Sequence, residues 1–287
     1  QIAVVQISSS VLPADADMGS PWDVTAALAS LRGTAYEDAF APERMDEPFL
    51  DFYQPGGGPN KHLACESFTR YAFLELACRC AGALRAHGVA EAGNAHAHWF
   101  TGNSPEDLAC RLAACMLRSV PATINWQADT PERIAYKIQA VGAKAVVVDT
   151  GVTLEALDEV LALAGGAVSV IRTADLRTAQ PLAPPATPLP DPMSTRIVIF
   201  TSGTTGLPKG VRLSYGAYVC NAATFDSFLR VSTGDSLRAL LCNPLHHTNS
   251  TAIADWATRR AGSRISLLKA YTTEYWRLLV DQAADAP

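Results

Sequence analysis

The residues best suited to do chemistry lie between Arg196 and Gly210, in the run RIVIFTSGTTGLPKG. Thr201, Ser202, Thr204 and Thr205 offer four hydroxyls as donors to phosphate oxygens. Gly203, Gly206 and Gly210 let the backbone turn sharply and let a ligand come close. Successive N–H groups in such a turn converge on an anion. Lys209 adds a positive charge, and Pro208 stiffens the turn ahead of it. The β-branched run Ile197-Val198-Ile199-Phe200 just before reads as a buried strand. The bend is therefore expected to leave the end of a sheet.

Two better-known loops are excluded by spacing. A Walker A motif ends in Gly-Lys-Ser/Thr, whereas Lys209 follows Pro208 and precedes Gly210. A nucleophile elbow needs glycines two residues away on both sides of the serine, and Ser202 lacks them. At all ten positions from Thr201 to Gly210 the stretch resembles the phosphate-binding loop of the adenylate-forming superfamily. That superfamily comprises acyl-CoA synthetases, aryl-CoA ligases, luciferases and peptide-synthetase adenylation domains.

A second stretch, Asn243-Pro244-Leu245-His246-His247-Thr248-Asn249, follows an apolar run from Leu237 to Cys242. By residue type alone, His246 and His247 read as ordinary turn histidines. At this distance after the loop, however, the stretch resembles the superfamily's "PLxH"-like motif, which supplies one wall of the acyl pocket. On that register His247 takes the motif position, where a neutral imidazole meets the substrate carboxylate or lines the acyl channel. Asn249 is a second substrate-binding candidate by proximity.

Other histidines and cysteines carry weaker signals. His96 and His98 share one face of an alternating strand from Ala95 to Phe100. No carboxylate or further histidine lies at a ligand-like distance, so half-buried, hydrogen-bonded imidazoles are expected rather than a metal site. Cys78 and Cys80 point to different faces of one helix and are expected as core or near-surface thiols. None of the seven cysteines forms a C-x-x-C pair and the number is odd, which favours a reduced, cytoplasmic setting.

The resemblance implies a reaction. A carboxylate attacks the α-phosphorus of ATP, giving an acyl-adenylate and pyrophosphate, and a thioester with coenzyme A or a carrier thiol follows. On the family pattern, Thr201, Ser202, Gly203, Thr204, Thr205 and Gly206 cradle the β- and γ-phosphates. Lys209 neutralises charge or holds the loop's shape. Mg²⁺ bridges phosphate oxygens, with Thr201 matching the hydroxyl that contacts it. Lys209 and His247 are the candidate catalytic residues. The superfamily's later "YGxTE" and "TGD" segments and its C-terminal catalytic lysine have no counterpart after Asn249. The chain is thus expected to be the N-terminal half of such an enzyme, completed by a C-terminal half or a partner chain. The alternative is a degenerate or truncated non-catalytic interaction protein that retains the fold.

The elements needed to position these residues are legible in outline. Ser104-Pro105-Glu106-Asp107 starts a helix that runs to about Arg118, and Thr130-Pro131-Glu132 starts another that runs to about Val141. Further helices are expected from Asp23 to Arg32, Tyr71 to Ala86, Thr153 to Leu163, Ser214 to Arg230 and Tyr271 to Ala284. In the last of these, Trp276, Leu279 and Val280 form a stripe expected to face the core. Strands are expected at Ala145–Asp149, Ala167–Ile171, Val211–Leu213 and Arg264–Leu268. The alternation predicts an α/β fold with layered parallel sheets and helices on both faces. The segments "GNSPEDLACRLAACMLRSVPATIN" and "TPERIAYKIQAVGAKAVVVD" resemble the superfamily in order and spacing.

Three regions are expected: an N-terminal extension over 1–60, a first α/β subdomain over 61–192, and a second α/β segment over 193–287. The first subdomain ends in a connector, Gln180 to Pro192, that holds six prolines. The second carries the loop and is incomplete at its C-terminus. With 287 residues, 48% hydrophobic and 18% charged, the chain can build a sizeable core. A net charge of −5 argues against nucleic acid as the main partner. No apolar run reaches membrane-spanning length, and the start has no signal-peptide pattern. The absence of an initiator Met fits numbering that begins inside a longer chain.

Overall fold

Strands and helices alternate along the chain much as its caps and apolar runs predict. The computed structural model describes residues 23–56, 63–166, 168–184, 190–201, 206–232 and 234–284. In chain order the elements are α1 (Val24–Leu31), β1 (Pro48–Pro55), β2 (Leu63–Thr69), α2 (Arg70–Ala86), β3 (Ala95–Trp99), α3 (Pro105–Leu117) and β4 (Val120–Thr123). They continue as α4 (Pro131–Val141), β5 (Ala143–Val148), α5 (Leu154–Ala164), β6 (Ser169–Arg172), α6 (Thr173–Thr178) and β7 (Thr195–Thr201). The last are β8 (Lys209–Ser214), α7 (Tyr215–Leu229), β9 (Arg238–Leu241), α8 (Thr248–Arg259), β10 (Arg264–Leu268) and α9 (Glu274–Ala284).

The caps act as their chemistry requires. Ser104 accepts from the Asp107 N–H, Thr153 from Ala156, and Ser214 from Ala217. Gly142 ends α4 at φ +62°, a left-handed angle that glycine takes without strain. Thr130 precedes α4 without a side-chain cap bond.

Two sheets result. One is six-stranded in the order β6-β5-β3-β4-β7-β8, and the other four-stranded in the order β2-β1-β10-β9. Pairing is parallel throughout except for one antiparallel hairpin at an edge of each sheet, β7 with β8 and β1 with β2. One apolar cluster fills the space between the sheets. It joins Leu74 and Leu112 to Ala145 and Val147 on one side, and to Leu50, Ile265 and Leu267 on the other. A second cluster packs Ile134, Ile138, Leu157 and Val160 of α4 and α5 onto the opposite face of the first sheet. The expected layered fold with helices on both faces is thus the observed one.

The helix α3 lies within the inter-sheet layer, buried from Pro105 to Met116. It has no solvent face, so its charges pair internally. Glu106 accepts from Arg177 at 2.5 Å, and Asp107 accepts from Arg111 at 2.8 Å.

Several differences from the expectations have physical causes. Strand pairing joins parts of the chain far apart in sequence: β1 pairs with β10, and β4 with β7. The stripe of α9 is turned outward. Trp276 is 57% and Val280 66% exposed, while Leu278 is 3% exposed. Leu278 packs with Tyr53 and Leu268 on the second sheet, and that contact sets the helix's rotation. The strands β1, β2 and β4 and the helices α6 and α8 carry no signal strong enough to be anticipated. Expectations resting on residues 1–22, 57–60, 167 and 185–189 lie outside the described residues, as do those on Ser202, Gly203, Thr204 and Thr205.

Candidate active site

The loop of interest is the connection of an antiparallel hairpin at the end of β7. Thr201 is the last residue of β7 and Lys209 the first of β8. They stand opposite one another in the ladder, one step beyond the pair Phe200 and Gly210. Directly opposed residues place their side chains on the same face. The hairpin therefore brings together the two expected functional residues at its mouth. The Thr201 hydroxyl donates to the Lys209 carbonyl at 3.4 Å, and both residues are exposed. Among the described residues Lys209 makes no ion pair.

The root of this hairpin is rigidly packed. Pro208 is buried, and Gly206 takes φ +136°. A Cβ on Gly210 would stand 3.1 Å from Val198 Cγ1 and 3.2 Å from Phe200 Cε1, so the ring lies across the glycine. The Nζ of Lys137, on α4, lies 5.1 Å from the centre of the same ring, in a cation–π contact. Lys137 is itself buried and paired with Asp129.

Beside the hairpin opens a groove of about 1350 Å³. Its lining includes Phe200, Leu207, Lys209 and Arg212 of the hairpin, together with Arg85 and Arg118. No carboxylate is among the described lining residues. Its volume exceeds the ~300–1,000 Å³ of a closed small-molecule pocket, so it is an open groove.

The second stretch forms the turn between β9 and α8. His247 holds the position before the first residue of α8 and is exposed, as is Asn249 in the first helical turn. The rings of His246 and His247 are 4.3 Å apart. His246 turns inward. Burial, with the neighbouring His247, lowers its pKa to about 4. The charge of Lys137 on α4, which also sits over the Phe200 ring, lowers it further. No hydrogen bond or ion pair among the described residues joins His247 or Asn249 to Thr201 or Lys209.

A small cavity of about 10 Å³ lies under His246, bounded by His98, Asn103, Asp107, Arg111, Thr123 and Trp126 among others. It sits where the chain leaves β3 for β4 on one side and leaves β4 for β5 on the other. This is the switch point at the carboxyl ends of a parallel sheet, a usual ligand position. His98 donates through its Nδ1–H to the Asp107 carboxylate at 2.7 Å. Burial pushes the Asp107 carboxyl up, but Arg111 and His98 outweigh it and hold it below the usual carboxylate range. His96 and His98 do share a face, with rings 4.9 Å apart. Both are fully buried rather than half-buried, and neither nitrogen of His96 has a partner among the described residues. Residue types in order do not announce this cluster: its one local signal is the spacing of four between Asp107 and Arg111 on a helix, which by itself says only that the two can pair.

Among the described residues, no group of three or more His, Cys, Asp or Glu is placed to hold a metal ion. A magnesium ion here would depend on phosphate oxygens, with Thr201 as the one described hydroxyl at the hairpin's mouth. All seven cysteines are free thiols. Among the described residues no helix is long and apolar enough to cross a membrane.

The family model for AMP-binding enzymes matches residues 43–284. The chain belongs to that family. The medium/long-chain-fatty-acid–CoA ligase FadD6 of Mycobacterium tuberculosis (strain ATCC 25618 / H37Rv) is 26% identical over 191 residues, covering 64% of this chain and 31% of that protein. The 4-coumarate–CoA ligase 5 of Oryza sativa subsp. japonica is 30% identical over 188 residues, covering 63% of this chain and 34% of that one. Among solved structures, the N-terminal domain of FACL13 from Mycobacterium tuberculosis superposes with a TM-score of 0.69 at 23% identity, over 89% of this chain and 60% of that chain. Apo MatB from Rhodopseudomonas palustris gives 0.69 at 20% identity, over 90% and 48%. These superpositions show a shared fold. The chain spans 31% and 34% of the two curated relatives, so it corresponds to part of an AMP-binding enzyme of their size.

Proposed function

We propose that this chain is the part of an acid–thiol ligase that holds the triphosphate of ATP and one wall of the acid site. The observation that supports it best is the hairpin at the end of β7. It sets Thr201 against Lys209 at the mouth of a glycine-rich connection, both exposed, with Lys209 paired to no carboxylate among the described residues. The reaction is attack of a carboxylate on the α-phosphorus of ATP, with pyrophosphate leaving. A thioester with coenzyme A or a carrier thiol is then formed.

The protein's contribution to the first step is positioning and neutralisation of charge. Thr201, Ser202, Thr204, Thr205 and the amides around Gly203 and Gly206 hold the β- and γ-phosphates. Lys209 offsets the charge that grows on the leaving pyrophosphate. Thr201 would help hold a Mg²⁺ ion, which would supply further neutralisation of the phosphate charge. His247, with Asn249, lines the acid site. The remaining nucleoside contacts come from a C-terminal half or partner chain. The setting is cytoplasmic, in keeping with seven free thiols.

Acid-dependent exchange of labelled pyrophosphate into ATP by the intact natural protein is the test. A panel of aliphatic, aryl and dicarboxylic acids should contain at least one that drives the exchange. A protein that binds ATP and exchanges with none of them would remove the ligase reading.

A further inference from the structure

The turn that carries His246 and His247 belongs to the second sheet, yet it is held in part by two side chains of the β3–β4 connection of the first, Asn103 and Arg111. Asn103, in the loop after β3, is 3% exposed. Its amide nitrogen donates to the Asn243 carbonyl at 3.1 Å and the Leu268 carbonyl at 2.9 Å. Its oxygen accepts from the Leu245 N–H at 2.9 Å, so the amide's donors and its acceptor are all engaged. Arg111, on α3, donates through Nη2 to the Leu245 carbonyl at 2.9 Å and through Nη1 to Thr251 Oγ1 at 3.2 Å. Its Nε is fixed on Asp107 at 2.8 Å. From α8, Thr251 Oγ1 lies 2.7 Å from the Leu245 carbonyl and 2.8 Å from that of His247, and Ser250 Oγ donates to Pro244 at 2.5 Å. The carbonyls of Asn243, Pro244, Leu245 and His247 are thus all fastened.

We propose that Asn103 and Arg111 are positioning residues for the acid wall: they set where His246 and His247 stand relative to the first sheet without touching substrate. The proposal rests on the acid-activating reading above. Its physical basis is a division of labour between the sheets. The hairpin that meets the phosphates leaves the first sheet and the histidine turn leaves the second. The reacting carboxylate must be held between them to within a fraction of an ångström. Asn103 and Arg111 span that gap at the carboxyl ends of the strands. Each ends on backbone atoms of the turn rather than on a histidine ring, so substitution displaces the wall without changing its chemistry.

The test uses the intact natural protein with Asn103→Ala, Arg111→Lys and Thr251→Val. Hydrogen exchange in residues 243–251 should quicken about tenfold or more in Asn103→Ala, while residues 209–214 stay within about twofold. Pyrophosphate-exchange kinetics should show KM for the acid rising about tenfold or more, with KM for ATP within about twofold. Arg111→Lys, which keeps the charge beside Asp107 but loses the forked contact, should fall between parent and Asn103→Ala. If Asn103→Ala does not fold, Thr251→Val, which loses one hydroxyl, should give the same split in smaller measure. Unchanged exchange at 243–251, or equal rises in both KM values, would overturn the positioning role. A parent protein that shows no acid-dependent exchange overturns the ligase reading and the role with it. The hydrogen-exchange result would still report whether Asn103 holds the turn.

Discussion

Phe200 and Gly210 face each other across the root of the hairpin, and the edge of the phenylalanine ring lies 3.2 Å from where a Cβ on the glycine would be. The ring is held from α4 by Lys137, 5.1 Å from its centre. A larger residue at 210 must push the ring toward Lys137 or lift β8 away from β7. Gly210→Val should therefore destabilise the fold by about 1–3 kcal/mol, as overpacking does. It should also weaken ATP binding, because the loop's mouth is displaced. Urea unfolding and nucleotide titration check both; a variant with parental stability and affinity would show that the root is soft.

Lys209 is exposed and makes no ion pair among the described residues. Its loss should leave the fold alone and strike the chemistry. Lys209→Ala should lower acid-dependent pyrophosphate exchange by about 10²-fold, the usual effect of removing one preorganised charge-stabilising group. The unfolding midpoint should stay that of the parent. Lys209→Arg should recover part of the rate, since it restores the charge on a different shape. Exchange by Lys209→Ala at the parental rate would remove the assigned role.

Asp107 and Arg111 are 5% and 7% exposed at their side chains and pair at 2.8 Å inside the inter-sheet layer. Breaking a buried pair strands its remaining charge. Arg111→Met alone should therefore destabilise by about 3–5 kcal/mol. Adding Asp107→Asn to it should return part of that loss, because the stranded carboxylate becomes an amide that His98 can still meet. A double-mutant cycle should give a coupling of about 0.5–3 kcal/mol. Additive losses would mean that the two side chains act independently.

Acid should weaken the fold through its buried imidazoles. Burial lowers the pKa of His96, with His98 beside it, and burial likewise lowers that of His98. In His246, burial and then His247 bring the pKa to about 4. The unfolded chain binds protons on these rings near pH ~6.5, whereas the folded chain refuses them. Their contribution to stability is therefore complete above that pH and is lost as pH falls from ~6.5 toward 4. His96→Phe removes one such group. Its urea midpoint relative to the parent should shift in the variant's favour as pH is lowered from 7.5 to 5. A difference that does not change with pH would show that His96 titrates normally in the fold.

Residue types and spacing were enough to locate the loop, the helix starts at Ser104, Thr153 and Ser214, and the strand Arg264–Leu268. Each of these depends on local chemistry. A hydroxyl caps the N–H groups next to it, a proline fits the first helical turn, and a β-branched run extends wherever it is buried. The layered α/β fold followed from their alternation. Pairing across the chain was beyond reach, because nothing near β1 states that it will lie beside β10, more than two hundred residues away. The same limit explains α9. The periodicity of Trp276, Leu279 and Val280 describes a face, but only the contact of Leu278 with Tyr53 and Leu268 chooses which face turns inward. The candidate phosphate loop was thus written in consecutive residues. Three-dimensional packing alone decided that Asn103 and Arg111 would fasten the histidine turn, because the carbonyls and N–H they hold at Asn243 and Leu245 are backbone groups, which every residue type presents alike.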